Sequence, residues 1–391
     1  MSTSAKKEKD SKPSDPRLSA VLVGCGGMGK NQAKILAQHP DFRLLAVCDV
    51  AAAAAEAVAA ELGVKAYADF AAMLAMEKPE TVIICTGNDT HAALTIAAAQ
   101  AGVKGVYCEK PMATNMGDAR AMVAACKQRG AALVVNHQRR VNADLVAARE
   151  LIASGALGDL MLVRGNCAGD ILSDGTHLID SLQWLTGDQE VKWVFGQVHR
   201  DLAAIREKNE KMNVKATPGM RYGHVVESGG LGVYQLASGV RIEVFCGDVS
   251  QERRYYQDYE IFGTTGRLWR LGDQLAPNLF IEDAQGGSLR TAPGASNWFW
   301  QPLPCGAGQQ GSWRAVDLPD GPRKNAIAVG YEMFAKMIRT GAPHPMSGEN
   351  ALRGFEVIMA IYESARLHKK ITLPLQQDRF PLELMVAEGK I

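Results

Sequence analysis

The chain has 391 residues, room for two to three domains at roughly 150 residues each, and its 47% apolar and 22% charged composition supports a sizeable core. With 43 basic against 42 acidic side chains the net charge is +1, so no broad positive field exists to track nucleic acid or an anionic membrane surface, and no run of eighteen apolar residues spans a bilayer. Residues 1–17 mix charges without an apolar block and read as a solvated tail with no export signal, while eight scattered cysteines without a CxxC pair read as buried reduced thiols of a cytoplasmic protein.

Apolar strand runs alternate with helical periodicity from there on. Strands are expected over 20–23, 44–48, 81–85, 106–108 and 132–135, and helices over 30–38, 51–62, 91–101 and 117–129. Strands apolar on both faces belong to a parallel sheet covered by helices, so residues 18–140 read as an α/β, doubly wound Rossmann domain. After residue 142 the texture changes. A helix to about 152, a strand over 160–164 and a helix over about 174–185 lead into hairpins within 225–245 and 259–269. Residues 141–391 are therefore expected to form a second, α+β domain on a mostly antiparallel sheet. Residues 272–324 are rich in Gly and Pro with little periodicity, and helices return over 326–338 and 351–367.

Gly24, Gly26 and Gly29 form GxGxxG. At this glycine content about 0.4 copies arise by chance, and Gly306, Gly308 and Gly311 make a second copy with no helix behind it. Context separates the two. The first copy follows a strand and opens a helix, so the backbone of Gly24, Gly26, Gly27, Met28 and Gly29 can approach a pyrophosphate at a helix N-terminus. Asp49 ends the next strand, where a carboxylate accepts the adenosine ribose hydroxyls and repels a 2′-phosphate, and no Arg or Lys follows in 50–55. NAD is expected in preference to NADP.

Two further segments lie at carboxyl ends of strands, the edge where an open α/β sheet binds its ligand: Cys85-Thr86-Gly87-Asn88-Asp89-Thr90-His91 and Glu109-Lys110-Pro111. With these motifs the sequence resembles the glucose-fructose oxidoreductase and inositol dehydrogenase family, Gfo/Idh/MocA, from about residue 19 to about residue 375. The resemblance implies a nicotinamide cofactor contacted by Thr86, Asn88, His91, Glu109 and Lys110, and a sugar, cyclitol or glycoside substrate. It also implies a large open-faced C-terminal sheet used in homo-oligomers, and Lys110 of the EKP motif as the proton-transfer residue. Oxidising an alcohol removes a hydride from carbon and a proton from oxygen, and a positioned group must take that proton. Pro111 restricts the backbone before it and so fixes where the amine points.

The family's second motif sets an aspartate four residues before a histidine. In Ile171-Leu172-Ser173-Asp174-Gly175-Thr176-His177 that place holds Ser173, and Asp174 stands one residue closer to His177. Asp174 can share a helix face with His177 or act as the helix N-cap. His177 is expected to bond the substrate hydroxyl or shuttle its proton, with Asp180 placed to orient the ring. Asn136, His137 and Arg139 follow the strand over 132–135 and offer donors to several hydroxyls, although the arginines of this segment can equally bridge the domains. Trp298, Trp300 and Trp313 can stack on a sugar or close a loop. No metal is expected. Net hydride transfer with NAD is the leading reading; the alternatives are an NAD-dependent glycosidase acting by transient oxidation and elimination, and a ligand sensor on the same fold.

Overall fold

The computed structural model describes residues 15–250, 256–273, 276–282, 313–318 and 325–391. Its first layer is a six-stranded parallel sheet made of β1 (Leu18–Val23), β2 (Phe42–Cys48), β3 (Lys65–Tyr67), β4 (Thr81–Ile84), β5 (Gly105–Cys108) and β6 (Ala132–Val135) in the order β3-β2-β1-β4-β5-β6. The interleaved helices are α1 (Gly27–Gln38), α2 (Ala52–Leu62), α3 (Phe70–Glu77), α4 (His91–Gln100) and α5 (Met116–Arg129). β4 and β5 are buried along their whole length, as expected for central strands covered on both faces. The order reverses between β1 and β4, the switch point where an open α/β sheet of this kind forms its ligand crevice.

β3 and α3 are absent from the sequence expectation for a physical reason. β3 is a three-residue edge strand with Lys65 and Ala66 exposed, so it shows no apolar run, and α3 is a two-turn helix started by Asp69, whose side chain accepts the Ala72 amide at 2.6 Å.

The second half carries α6 (Ala143–Ala153), β7 (Leu160–Cys167), α7 (Gly175–Leu185), β8 (Val191–His199), α8 (Leu202–Lys211) and the short pair β9 (Met220–Arg221) and β10 (His224–Val225). There follow β11 (Gly229–Leu236), β12 (Arg241–Gly247), β13 (Gln257–Gly263), β14 (Arg267–Arg270), β15 (Leu279–Glu282) and β16 (Trp313–Ala315). The chain then forms α9 (Ala326–Thr340), α10 (Gly348–Leu367), β17 (Ile371–Thr372) and α11 (Pro381–Ala387). Among the described residues a nine-stranded sheet runs β16-β15-β14-β13-β7-β12-β11-β8-β17, antiparallel throughout except for the parallel pair β7 and β12. α7 and α10 cover one face. Gly196 of β8 lets α10 sit close, since a Cβ there would lie 2.7 Å from Ile361. The other face is open and presents Phe195 and Trp269, each more than a third exposed, beside an Arg164 paired with Glu243 and Glu260. Trp313 meets Trp269 edge-on at 6.4 Å; Trp298, Trp300 and the second glycine pattern at 306–311 lie outside the described residues.

Two contacts tie the layers together. α9 returns to the first sheet, where Tyr331 packs on Tyr107 with ring centroids 4.8 Å apart and Phe334 stacks on Phe42 at 6.2 Å. Arg140, just past β6, has a fully buried side chain that grips both oxygens of Asp180 on α7 at 2.7 and 2.8 Å and donates to Asp188 and to the Pro345 carbonyl, each at 3.0 Å. This arginine bridges the domains.

Candidate active site

The crevice begins at the glycine turn. Gly24 adopts φ +95°, and its carbonyl lies so near Gly29 that a Cβ on Gly29 would sit 1.7 Å from it; strand and helix meet at this point without side chains. Gly26 and Gly27 face open space, and no side chain caps α1 at Gly26, so its first amides are free for a ligand. Asp49 is anchored by the Cys25 amide at 2.7 Å and the Ala51 amide at 2.9 Å, one on each oxygen, which leaves further lone pairs for ribose hydroxyls, and Val50 beside it is 95% exposed. Asn88 is buried, and its side-chain amide nitrogen has no partner among the described residues. An uncapped helix, an open glycine turn, an anchored carboxylate and an orphaned amide fit a dinucleotide.

Glu109 lies beneath the site, buried and without a cationic partner among the described residues. Its carboxylate accepts from the Asn136 side chain at 2.8 Å, the Lys110 amide at 3.1 Å and the Gln32 side chain. The Asn136 oxygen accepts the Tyr107 hydroxyl at 2.7 Å, and Gln32 accepts the Tyr331 hydroxyl. Asn136 was expected at the substrate, yet it is fully buried in this network. His91 was expected at the cofactor and is also fully buried: its ring nitrogens lie 2.8 Å from the Pro111 carbonyl and 3.2 Å from that of Thr86, so it ties the loop after β4 to the loop after β5. Burial lowers its pKa.

Lys110 sits at the crevice edge before a cis peptide to Pro111, and its amine donates to the Ser173 carbonyl at 2.8 Å. His177 lies in the first turn of α7, almost fully buried, with Nδ1 unpartnered. Burial holds its pKa well below the ordinary range, and the nearby charge of Lys110 pushes the same way. His137 stands edge-on to His177 at 5.8 Å, contacts the Thr176 hydroxyl at 3.0 Å and is pushed down to about 4 by burial. Asp180 does not orient His177. Its carboxylate is taken by Arg140 and lies 3.5 Å from His137 instead.

Asp174 occupies the N-cap position of α7, but its side chain does not cap. It accepts the Tyr256 hydroxyl at 2.6 Å, while Gln257 donates to its carbonyl at 3.1 Å. Arg139 lies over the Tyr256 ring at 5.5 Å and pairs with Asp273 at 2.6 Å. Lys110, His137, Arg139, Asp174 and His177 thus gather at the start of α7. Sequence reasoning missed Tyr256, which immediately precedes β13 without any motif, and Gln32, whose signal was a polar residue on the buried Gly29, Ala33 and Leu36 face of α1.

The family model described as an oxidoreductase family with an NAD-binding Rossmann fold matches residues 18–137, and the C-terminal domain model of the same family matches residues 145–269. The chain belongs to the Gfo/Idh/MocA family. Among its relatives, D-apiose dehydrogenase of Paraburkholderia graminis is 26% identical over 96% of this chain and 95% of its own length. Inositol 2-dehydrogenase of Rhizobium meliloti is 33% identical over 44% of this chain, a match that spans about half (55%) of that relative. The aldose-aldose oxidoreductase of Caulobacter crescentus has the same fold, with a TM-score of 0.72 at 20% identity over 91% of this chain and all of that one. The Gfo/Idh/MocA chain described here is accordingly an NAD-binding oxidoreductase with a Rossmann domain and a mixed-sheet C-terminal domain.

The two site histidines make stability depend on pH. A histidine whose pKa is lower folded than unfolded stabilises the fold above the unfolded value near 6.5 and loses that contribution as the pH falls towards the folded value. For His137 this amounts to on the order of 3 kcal/mol lost between about pH 6.5 and 4. The urea midpoint is expected to drop over that window, and His137→Gln is expected to flatten the drop; equal slopes in both proteins would contradict the assignment.

Proposed function

We propose that this protein transfers a hydride between NAD and a secondary alcohol of a sugar, cyclitol or glycoside. The observation that carries this reading is the convergence of Lys110, His177 and Asp174 at the mouth of the glycine crevice. The relatives named for apiose, inositol and, in Escherichia coli, D-glucoside 3-dehydrogenation supply the substrate class. Gly26, Gly27, Met28, Asp49, Thr86 and Asn88 would hold the dinucleotide, which supplies the hydride acceptor when bound.

The chain's own groups supply the rest. Lys110 exchanges the hydroxyl proton, its amine aimed by the Ser173 carbonyl, and neutral His177 holds the hydroxyl by an imidazole nitrogen that burial leaves unprotonated. Arg139, His137 and Asp174 hold the remaining hydroxyls. Lys110→Met keeps the length and removes the amine. Turnover is expected to fall about 10²–10⁴-fold while the NAD dissociation constant stays within a few-fold, and turnover surviving nearly intact would remove Lys110 from the reaction.

NAD is preferred over NADP in this reading because Asp49 meets the ribose and no cation follows it. Asp49→Ser with Val50→Arg is expected to move the ratio of dissociation constants towards NADP, whereas parent protein that binds NADP as tightly as NAD would show that another residue receives the 2′-phosphate.

The open face of the nine-stranded sheet is the surface through which copies of this chain associate. Its partly exposed Phe195 and Trp269 on a nine-stranded sheet favour self-association. Phe195→Glu is expected to lower the mass measured by light scattering towards that of the monomer. The described cysteines are all buried free thiols, which suits a reducing cytoplasm.

A further inference from the structure

The hairpin of β9 and β10 breaks a local rule. Arg221 pairs with His224 and Met220 with Val225, so Tyr222 and Gly223 alone form the turn. Both have positive φ, +49° and +88°, as two-residue type I′ hairpins require. Asn, Asp or Gly is normal at the first position, and a bulky aromatic residue there is a backbone outlier. Gly223 is favoured by its φ of +88°, and a Cβ on it would also lie 2.2 Å from an oxygen of Asp89.

The residues on either side of the turn are pinned. Arg221 is buried and donates to Asp170 at 2.6 Å and to Asn209 at 2.8 Å. His224 is fully buried, with Nδ1 donating to the Val225 carbonyl at 2.9 Å and Nε2 facing the Ser173 hydroxyl at 3.2 Å. Tyr222 between them is 43% exposed. Its carbonyl accepts the Asn88 amide at 3.2 Å, on the loop that follows β4 in the cofactor crevice. The His224–Ser173 contact sets this hairpin against the start of α7, and the pKa of the Tyr222 phenol is raised chiefly by burial and next by the Asp174 carboxylate there.

The turn therefore crosses from the substrate side to the loop of Asn88, whose own side-chain amide is orphaned. Strain of this kind persists where the surroundings impose it, and the anchors of Arg221 and His224 do so here. We propose that Tyr222 is a binding residue for the nicotinamide end of the dinucleotide, its ring held by the pinned β9–β10 hairpin where the cofactor crevice meets the Lys110 site. This rests on the dinucleotide reading given above.

The test uses the full chain with NAD and with ADP-ribose, which lacks the nicotinamide, and reads dissociation constants together with melting temperature. Tyr222→Asn installs the residue the turn prefers. It is expected to melt at or above the parent temperature, to weaken NAD about tenfold, the worth of one good aromatic contact, and to leave ADP-ribose within twofold. Tyr222→Phe keeps the ring and is expected to bind NAD within threefold of the parent.

NAD binding to Tyr222→Asn within twofold of the parent overturns the inference. So does an equal loss for both ligands, or a melting point several degrees below the parent, since the ring would then serve the crevice or the packing in general. Parent protein that binds neither ligand would instead refute the dinucleotide reading itself.

Discussion

A buried carboxylate that no cation among the described residues pairs with holds this site together. A carboxylate removed from water is costly unless its oxygens are hydrogen-bonded. Glu109 meets that demand with neutral donors from three places: Gln32 on the helix behind the glycine turn, Asn136 past β6, and the amide of Lys110 itself. Each amide is committed at its other end, Gln32 to Tyr331 of α9 and Asn136 to Tyr107 of β5. One carboxylate thus sets the position of the glycine helix, the backbone of Lys110 and the helix that returns from the end of the chain. Its removal would leave two buried amides short of acceptors, so the network stands or falls as a unit.

Charge in the site is arranged around a second commitment. Arg140 is buried and binds Asp180 together with Asp188, so the pull of the Asp180 carboxylate on His137, 3.5 Å away, is opposed by the guanidinium charge. His137 and His177 are buried near Lys110, where burial and that neighbouring charge both favour the neutral ring. A neutral imidazole beside an amine can take a hydrogen bond or a proton from a hydroxyl, which a permanently charged ring cannot. The domain-bridging arginine and the state of the site histidines are therefore one electrostatic design.

The legible parts of the sequence were those with a period or a motif. The central strands, the glycine turn, Asp49 and the Glu109-Lys110-Pro111 segment all fall at the carboxyl edge of the parallel sheet as their spacing requires. β8 was missed because its exposed face carries Lys192 and Gln197, and α8 because only its Asp201 cap marks it. A position at a ligand edge says nothing about which way a side chain turns: His91, expected at the cofactor, and Asn136, expected at the substrate, both turn inward to bond neighbouring loops. Asp180 stood three residues from His177, yet Arg140 from another element claimed it, a pairing no local pattern encodes.

The one-residue displacement at Ser173 and Asp174 acquires a physical meaning from the sheet behind it. The place where the family sets an aspartate offers Lys110 a backbone carbonyl, and the Ser173 hydroxyl turns away to His224. The carboxylate of Asp174 is gripped by the Tyr256 hydroxyl just before β13, and its carbonyl by Gln257 of that strand; a side chain on Gly169 would collide with it. The start of α7 is thereby fixed from two sides, by the Rossmann domain through Lys110 and by the C-terminal sheet through Tyr256 and Gln257. Asp174 is therefore held within the C-terminal domain, while the carbonyl one residue earlier ties the same turn to the Rossmann domain through Lys110, on the helix whose Asp180 is gripped by Arg140.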